Sequence, residues 1–224
     1  MVCSERFRAD GPHTTVRTLS STLLFCLLVV GTAKAQTYEV GILGGYARMT
    51  HGGLGSVSPE NPAEGDTRIK ADYTEGAWIT ANTRGYYGHE FSYLMTRFTA
   101  QSTVRNTVDT ITTTSVLNDR TAVRQLNYNF LIYFMPKGER WRPFVTAGAQ
   151  AYGYHAPNIV NWPSGATRHY GANWGGGVKI ALFPHALMRF DFRDYFGGKP
   201  YKLNQQAGGS IHQFEGTVGL GFTF

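Results

Sequence analysis

The stretch Leu187-Met188-Arg189-Phe190-Asp191-Phe192-Arg193-Asp194-Tyr195-Phe196 alternates large apolar and charged residues with a period of two. Successive side chains of a β-strand point to opposite faces. As a strand, this segment puts Met188, Phe190, Phe192 and Phe196 on one face and Arg189, Asp191 and Arg193 on the other. The same rhythm recurs. Leu126, Tyr128, Phe130, Ile132 and Phe134 oppose Gln125, Asn127 and Asn129. Trp174, Val178, Ile180 and Leu182 oppose Asn173, Gly175, Gly177 and Lys179. Phe214, Val218, Leu220, Phe222 and Phe224 oppose Gln213, Glu215, Thr217 and Thr223.

Alternation does not say which face is outward. A soluble lipocalin-like barrel turns its apolar face in; a transmembrane barrel turns it to lipid. Three features favour the second. The polar face carries Gly and Asn rather than Lys and Glu. Aromatic residues gather near strand ends (Phe134, Trp141, Phe144, Phe183, Phe222 and Phe224 toward one side), as a membrane-interface girdle would. The sequence also stops inside an apolar alternation, where soluble termini usually fray in polar residues. Composition agrees, since charged residues make up 16% of the chain, against about 25% in soluble domains.

Eight strand signals are separated by alternately long and short connections: Tyr38–Arg48, Tyr73–Arg84, His89–Thr99, Thr121–Phe134, Arg142–Tyr154, His169–Leu182, Leu187–Phe196 and Ile211–Phe224. The expected fold is all-β: a transmembrane, antiparallel up-and-down β-barrel of about eight strands, with both termini on the periplasmic side. The count becomes ten if the Thr-rich connection before Arg120 hides a hairpin.

Residues 1–35 read as a cleaved signal peptide, leaving 36–224 as the barrel domain. Arg6, Arg8 and Arg17 precede a short apolar run centred on residues 23–30, and Ala33-Lys34-Ala35 is a small-x-small site that predicts cleavage between Ala35 and Gln36. The run is shorter than the ~18–20 apolar residues of a spanning helix. The long basic region also allows Met1 to be an upstream start. Cys3 and Cys26 both leave with the signal, so disulfides and Cys-ligated zinc are excluded from the remainder. Arg6, Arg8, Arg17 and Lys34 depart with Glu5 and Asp10, lowering the net charge from +6 to +4. The residual charge is dispersed, which does not point to nucleic acid.

The ending Gly219-Leu220-Gly221-Phe222-Thr223-Phe224 resembles the last-strand signal by which outer-membrane proteins engage their insertion machinery, and Phe222 and Phe224 would carry it. Arg142-Pro143-Phe144-Val145-Thr146-Ala147-Gly148-Ala149, Asn173-Trp174-Gly175-Gly176-Gly177-Val178-Lys179 and Met188–Tyr195 resemble the small outer-membrane barrels related to outer-membrane protein A, without the peptidoglycan-binding domain some of them append. The resemblance implies a fold, a cell outer-membrane location, and outer-membrane lipids, periplasmic chaperones and the insertion machinery as partners. It leaves function open, because that family spans anchors, adhesins, narrow channels and lipid-modifying enzymes.

Parity turns Lys179, Arg189, Asp191, Arg193 and Glu215 inward, and Glu90 joins them. In so narrow a lumen such charges must be paired, with Glu215 as the expected partner of the strand-seven arginines. The interior is thus read as a plug rather than an ion path. The best arrangement for catalysis is Ser210, His212 and Asp194 near one end of adjoining strands, with Asp194 outward near the rim; a lipid esterase would use such a set. Its order does not match the His-x-Ser-Asn pattern of lipid A deacylases. His51, His89, His155, His169 and His185 fall singly, without metal-ligand spacing. No cofactor, metal or catalytic residue is therefore expected. The functional expectation is a non-catalytic structural or surface-binding barrel, with an extracellular ligand at the loops. The alternatives are a narrow channel for small solutes and a lipid-modifying enzyme.

Overall fold

The computed structural model describes residues 37–50, 53–58, 61–70, 72–163, 167–199, 201–206 and 208–224. The signal segment and its Ala35/Gln36 cleavage site lie outside them. Eight long strands form a closed antiparallel ring: β1 (Thr37–Thr50), β3 (Asp72–Thr83), β4 (Tyr87–Val108), β5 (Ile111–Tyr133), β6 (Trp141–Tyr154), β7 (Thr167–Phe183), β8 (Ala186–Gly198) and β9 (Ser210–Thr223). Each pairs with its neighbours in sequence, and β1 pairs with β9 to close the ring. Closure leaves no edge within the ring, so every strand there meets its backbone hydrogen-bonding need without water.

Three tight connections, together with Thr37 and Phe224, lie at one end of the barrel, here the turn end. Gly85 (φ 80°) and Gly138 (φ 101°) hold left-handed positions in two of these turns, a conformation that costs a residue with a Cβ. The opposite, loop end carries the long connections. There a ninth, four-residue strand, β2 (Thr67–Lys70), pairs with β4 from Thr67↔Ser102 to Lys70↔Thr99. It takes over the edge of β4 that β3 leaves after Thr74↔Thr96.

The Thr-rich connection does contain a hairpin, but it adds no strand to the ring. The β4–β5 register runs unbroken from Tyr87↔Ile132 to Val108↔Ile111, so the two strands simply continue beyond the barrel. Threonine suits a pleated surface as well as a loop, which is why its composition left this segment undecided.

The faces divide as a transmembrane barrel requires. Ile42 (69% exposed), Leu126 (57%), Phe192 (60%) and Leu220 (57%) point outward, while Gln125, Asn127, Asn129 and Arg193 are buried inside. A lipocalin-like barrel would show the reverse. One aromatic residue departs from the girdle: Phe144 is buried in the lumen, whereas Phe134, Trp141, Phe183, Phe222 and Phe224 are exposed at the turn end. Its immediate neighbours Pro143 and Val145 face outward, so parity sends Phe144 inward. Glycines make the room for such inward rings. A Cβ on Gly41 would lie 2.4 Å from the buried Trp78 ring.

Candidate functional site

The interior begins with strand parity and ends in charge compensation. Glu90, Lys179, Arg189, Asp191, Arg193 and Glu215 all lie inside and are nearly or fully buried. Glu90 is the hub. Arg189 pairs with it through Nη1, and Arg193 Nη2 donates to Glu90 Oε1 at 2.8 Å. Asp191 completes the cluster, accepting from Arg189 Nη2 at 3.0 Å and Arg193 Nη2 at 3.3 Å. Thr80 Oγ1 donates to Glu90 at 3.2 Å. The arginines stand on β8 and Glu90 on β4, four places away in a ring of eight. The ion pairs therefore cross the full width of the lumen.

Glu215 is not the partner of these arginines. It is a Cα neighbour of Arg193 across β8 and β9, yet it accepts from Thr96 Oγ1 at 3.0 Å and from Gln213 Nε2 at 2.6 Å. Long guanidinium side chains reach across a narrow lumen to Glu90 more readily than they fold back on an adjacent strand.

A second cluster lies toward the turn end. Lys179 pairs with Glu39 and donates to Tyr133 Oη at 2.7 Å. Asn82 Nδ2 donates to Glu39 at 2.7 Å. Arg142 lies 4.0 Å from Glu39, donates to the Gly85 carbonyl at 2.9 Å, and stacks 3.8 Å above the Tyr133 ring. Glu39 and Arg142 were absent from the sequence expectation. Val40 and Ile42 outward with Glu39 and Gly41 inward is the signal that would have found the first. With them the lumen balances: Arg142, Lys179, Arg189 and Arg193 face Glu39, Glu90, Asp191 and Glu215.

The loop end is closed by a different chemistry. Leu54, Val57, Ile69, Ile159, Tyr201 and Leu203 from the connections pack with Phe98, Val123, Tyr152, Tyr154 and Ile211 from the strands. Backbone bonds lock the lid: Ser56 N donates to Asn204 O at 2.8 Å and Asn204 N to Ser56 O at 3.1 Å. Trp162 packs edge-on to Tyr201 at 4.8 Å. Burial pushes the Tyr201 hydroxyl up to about 12. Asp66 accepts from Arg105 Nη1 at 2.5 Å and from Ala63 N at 2.9 Å. Burial alone would raise the Asp66 carboxyl, but the hydrogen bonds from Arg105, Ser56 and Ala63 hold it below its usual value. The scattered apolar residues of these loops form a core of their own over the barrel mouth.

Between these closures the barrel holds water-sized voids. Two, each of about 10 Å³, flank Tyr195, about the room one water molecule needs. An open cavity of about 630 Å³ at the turn end reaches Glu39, Arg142 and Lys179 and goes no deeper.

On the outer face, His212 Nδ1 lies 2.9 Å from Asp194 Oδ2. Asp194 follows the outward parity expected of it, yet it is buried rather than exposed at the rim. Aromatic stacking continues around the pair through Phe196, His212, Phe214 and Phe192. Ser210 is exposed, and no hydrogen bond joins it to His212 among the described residues. The structure thus brings together two of the three residues considered for catalysis. His89 Nδ1 lies 2.8 Å from Tyr128 Oη and His185 Nδ1 lies 3.0 Å from Thr223 O. Among the described residues no group of three or more His, Cys, Asp or Glu could hold a metal ion. Phe222 and Phe224 stack at 6.3 Å on the outer face, and Phe224 exchanges two 3.0 Å backbone bonds with Tyr38.

The ring of eight strands is apolar outside and charged inside. The fold is that of the small outer-membrane β-barrels. OprG from Pseudomonas aeruginosa superposes with a TM-score of 0.55 at 13% identity, over 85% of this chain and 96% of that one. Neisserial surface protein A gives 0.51 at 11% identity, over 84% and 97%. The N-terminal β-barrel domain of Pseudomonas aeruginosa OprF gives 0.50 at 15% identity, also over 84% and 97%. At these identities the likeness is one of fold. No family model and no curated protein sequence matches the chain.

Proposed function

We propose that this protein is exported to the outer membrane and acts there as a closed, non-catalytic barrel, with a structural or surface-binding role. The carrying observation is the double closure. Ion pairs cross the lumen between β8 and β4, and an apolar lid covers the loop end. A solute path would need water-lined space through both levels, and the two voids beside Tyr195 each hold about one water. The exposed apolar wall fits a bilayer, and the three solved neighbours come from outer-membrane or surface proteins. In this orientation the turn end faces the periplasm, where Phe222 and Phe224 would serve insertion, and the lid faces outward to meet an extracellular ligand. Fractionation with N-terminal sequencing tests the location: outer-membrane protein should begin at or near Gln36, and an uncleaved chain in the inner membrane would refute it.

The Asp194–His212 pair favours a second reading, a lipid-modifying enzyme, because a carboxylate at Nδ1 orients an imidazole for general-base work. Among the described residues no hydrogen bond joins Ser210 to the pair, so the serine considered as nucleophile is not engaged by it. Lipid analysis of a deletion strain separates the readings: unchanged lipid A acylation agrees with the non-catalytic role, and a changed pattern would overturn it.

A further inference from the structure

A cavity of about 340 Å³ opens on the outer wall near the loop end, across β5, β6 and β7. Its shape follows from strand register. Arg124, Gly153 and Arg168 form one cross-strand row, and Leu126, Ala151 and Tyr170 form the next row toward the turn end. The small central residues leave a trough between taller walls. The two arginines stand two strand spacings apart, roughly 9–10 Å between backbones, close enough for both guanidiniums to turn toward one ligand.

Both arginines are exposed, and neither makes an ion pair or hydrogen bond among the described residues. Arg97 on the same wall shows the contrast: it binds Glu75 at 2.9 Å and lies over Tyr73. Leu126 and Tyr170, just below the arginine row, are exposed, as is Tyr93 on β4 beside Leu126. Tyrosine favours the membrane–water interface, so this level sets the arginines at headgroup height and Ala151 at the top of the acyl region. Guanidinium forks match phosphate oxygens in charge and geometry.

We propose that this cavity binds an anionic phospholipid of the surrounding leaflet, one whose headgroup carries no cation to neutralise its phosphate. Its phosphoryl group sits between Arg124 and Arg168, and an acyl chain lies over Ala151 between Leu126 and Tyr170. The inference rests on the membrane-barrel reading. It adds a specific lipid site to a wall that would otherwise meet lipid without preference.

The test uses the whole barrel reconstituted in phosphatidylcholine vesicles doped with phosphatidylglycerol, extracted in mild detergent and weighed by native mass spectrometry. The wild type should retain phosphatidylglycerol in preference to phosphatidylcholine. Arg124→Gln with Arg168→Gln should lower that retention by at least roughly tenfold, as expected for losing one charge-assisted hydrogen bond or more. Ala151→Leu keeps both charges but fills the trough, and should also weaken retention severalfold. Equal retention of the two lipids by the wild type, or undiminished retention by the double variant, would overturn the site. Displacement of the lipid by inorganic phosphate, or wild-type retention by Ala151→Leu, would overturn the acyl trough. Heat-modifiable migration of each protein checks the barrel separately; its absence in the wild type would overturn the membrane reading on which the site depends.

Discussion

Replacing Glu90 with Gln removes the carboxylate that Arg189 and Arg193 reach across the lumen. Glu90 is 0% exposed and stands opposite β8. Its loss leaves Arg189 and Arg193 to share Asp191, which already contacts both. One unit of attraction at about 4 Å is worth about 4 kcal/mol at an effective dielectric constant of 20. Two such interactions disappear, and the repulsion between the arginines is no longer offset. Against this, the variant no longer desolvates the Glu90 carboxylate, which returns several kcal/mol. The net cost should be about 3–5 kcal/mol, the usual range for breaking a buried pair. Glu215→Gln is the matched control. Its carboxylate has neutral donors, Thr96 and Gln213, and the amide oxygen can accept from them. We expect a cost under about 1.5 kcal/mol, the scale of one ordinary hydrogen bond. Both values come from urea titration of barrels in lipid vesicles, followed by tryptophan fluorescence and by heat-modifiable migration. Equal costs for the two variants, or a Glu90→Gln cost below 1.5 kcal/mol by the same scale, would refute the account of Glu90 as the hub.

Three further outcomes follow from the lid and the last strand. Tyr201→Ala removes a buried ring that packs on Trp162 and Tyr154, so it should loosen the lid at a cost of about 3–5 kcal/mol; limited proteolysis should then cut the loops while the strands stay protected. Asp66 has a folded-state carboxyl held below its ordinary value, so its contribution is present above the ordinary carboxylate range and is lost as pH falls through the folded value. Lid protection should weaken on acidification in the wild type and be flatter with pH in Asp66→Asn. Deleting Phe224 removes two backbone bonds to Tyr38 and a ring at the seam of β1 and β9, and should reduce assembled barrel; equal assembly of the truncated chain would argue against an insertion role.

Much of this architecture is legible from a period of two. The alternation through Met188–Phe196 places Arg189, Asp191 and Arg193 inside, and the same parity holds for Glu90, Lys179 and Glu215. Partner choice is not legible in that way. Strand adjacency selects Glu215, whereas the observed Glu90 pairs depend on which strands face each other across the lumen, a property of ring closure and stagger. The lid is hidden for a related reason. Leu54, Val57, Tyr201 and Leu203 sit singly among Gly, Pro and Asn, without the periodicity that marks a strand or helix. Their packing arises only once three connections meet over the barrel mouth. Thr103–Asn118 carried the opposite ambiguity: polar enough for a loop, β-prone enough for the hairpin it forms.

Single-molecule conductance in planar bilayers tests the closed interior most directly. The wild-type barrel should insert without steady current, because the Glu90–Arg189–Arg193 cluster and the lid around Tyr201 each block the axis. Glu90→Gln combined with Tyr201→Ala should admit intermittent current by loosening both levels. A steady, ion-selective current through the wild type, with selectivity altered by Glu90→Gln and stability unchanged, would contradict the account: the charges would then line a water-filled channel.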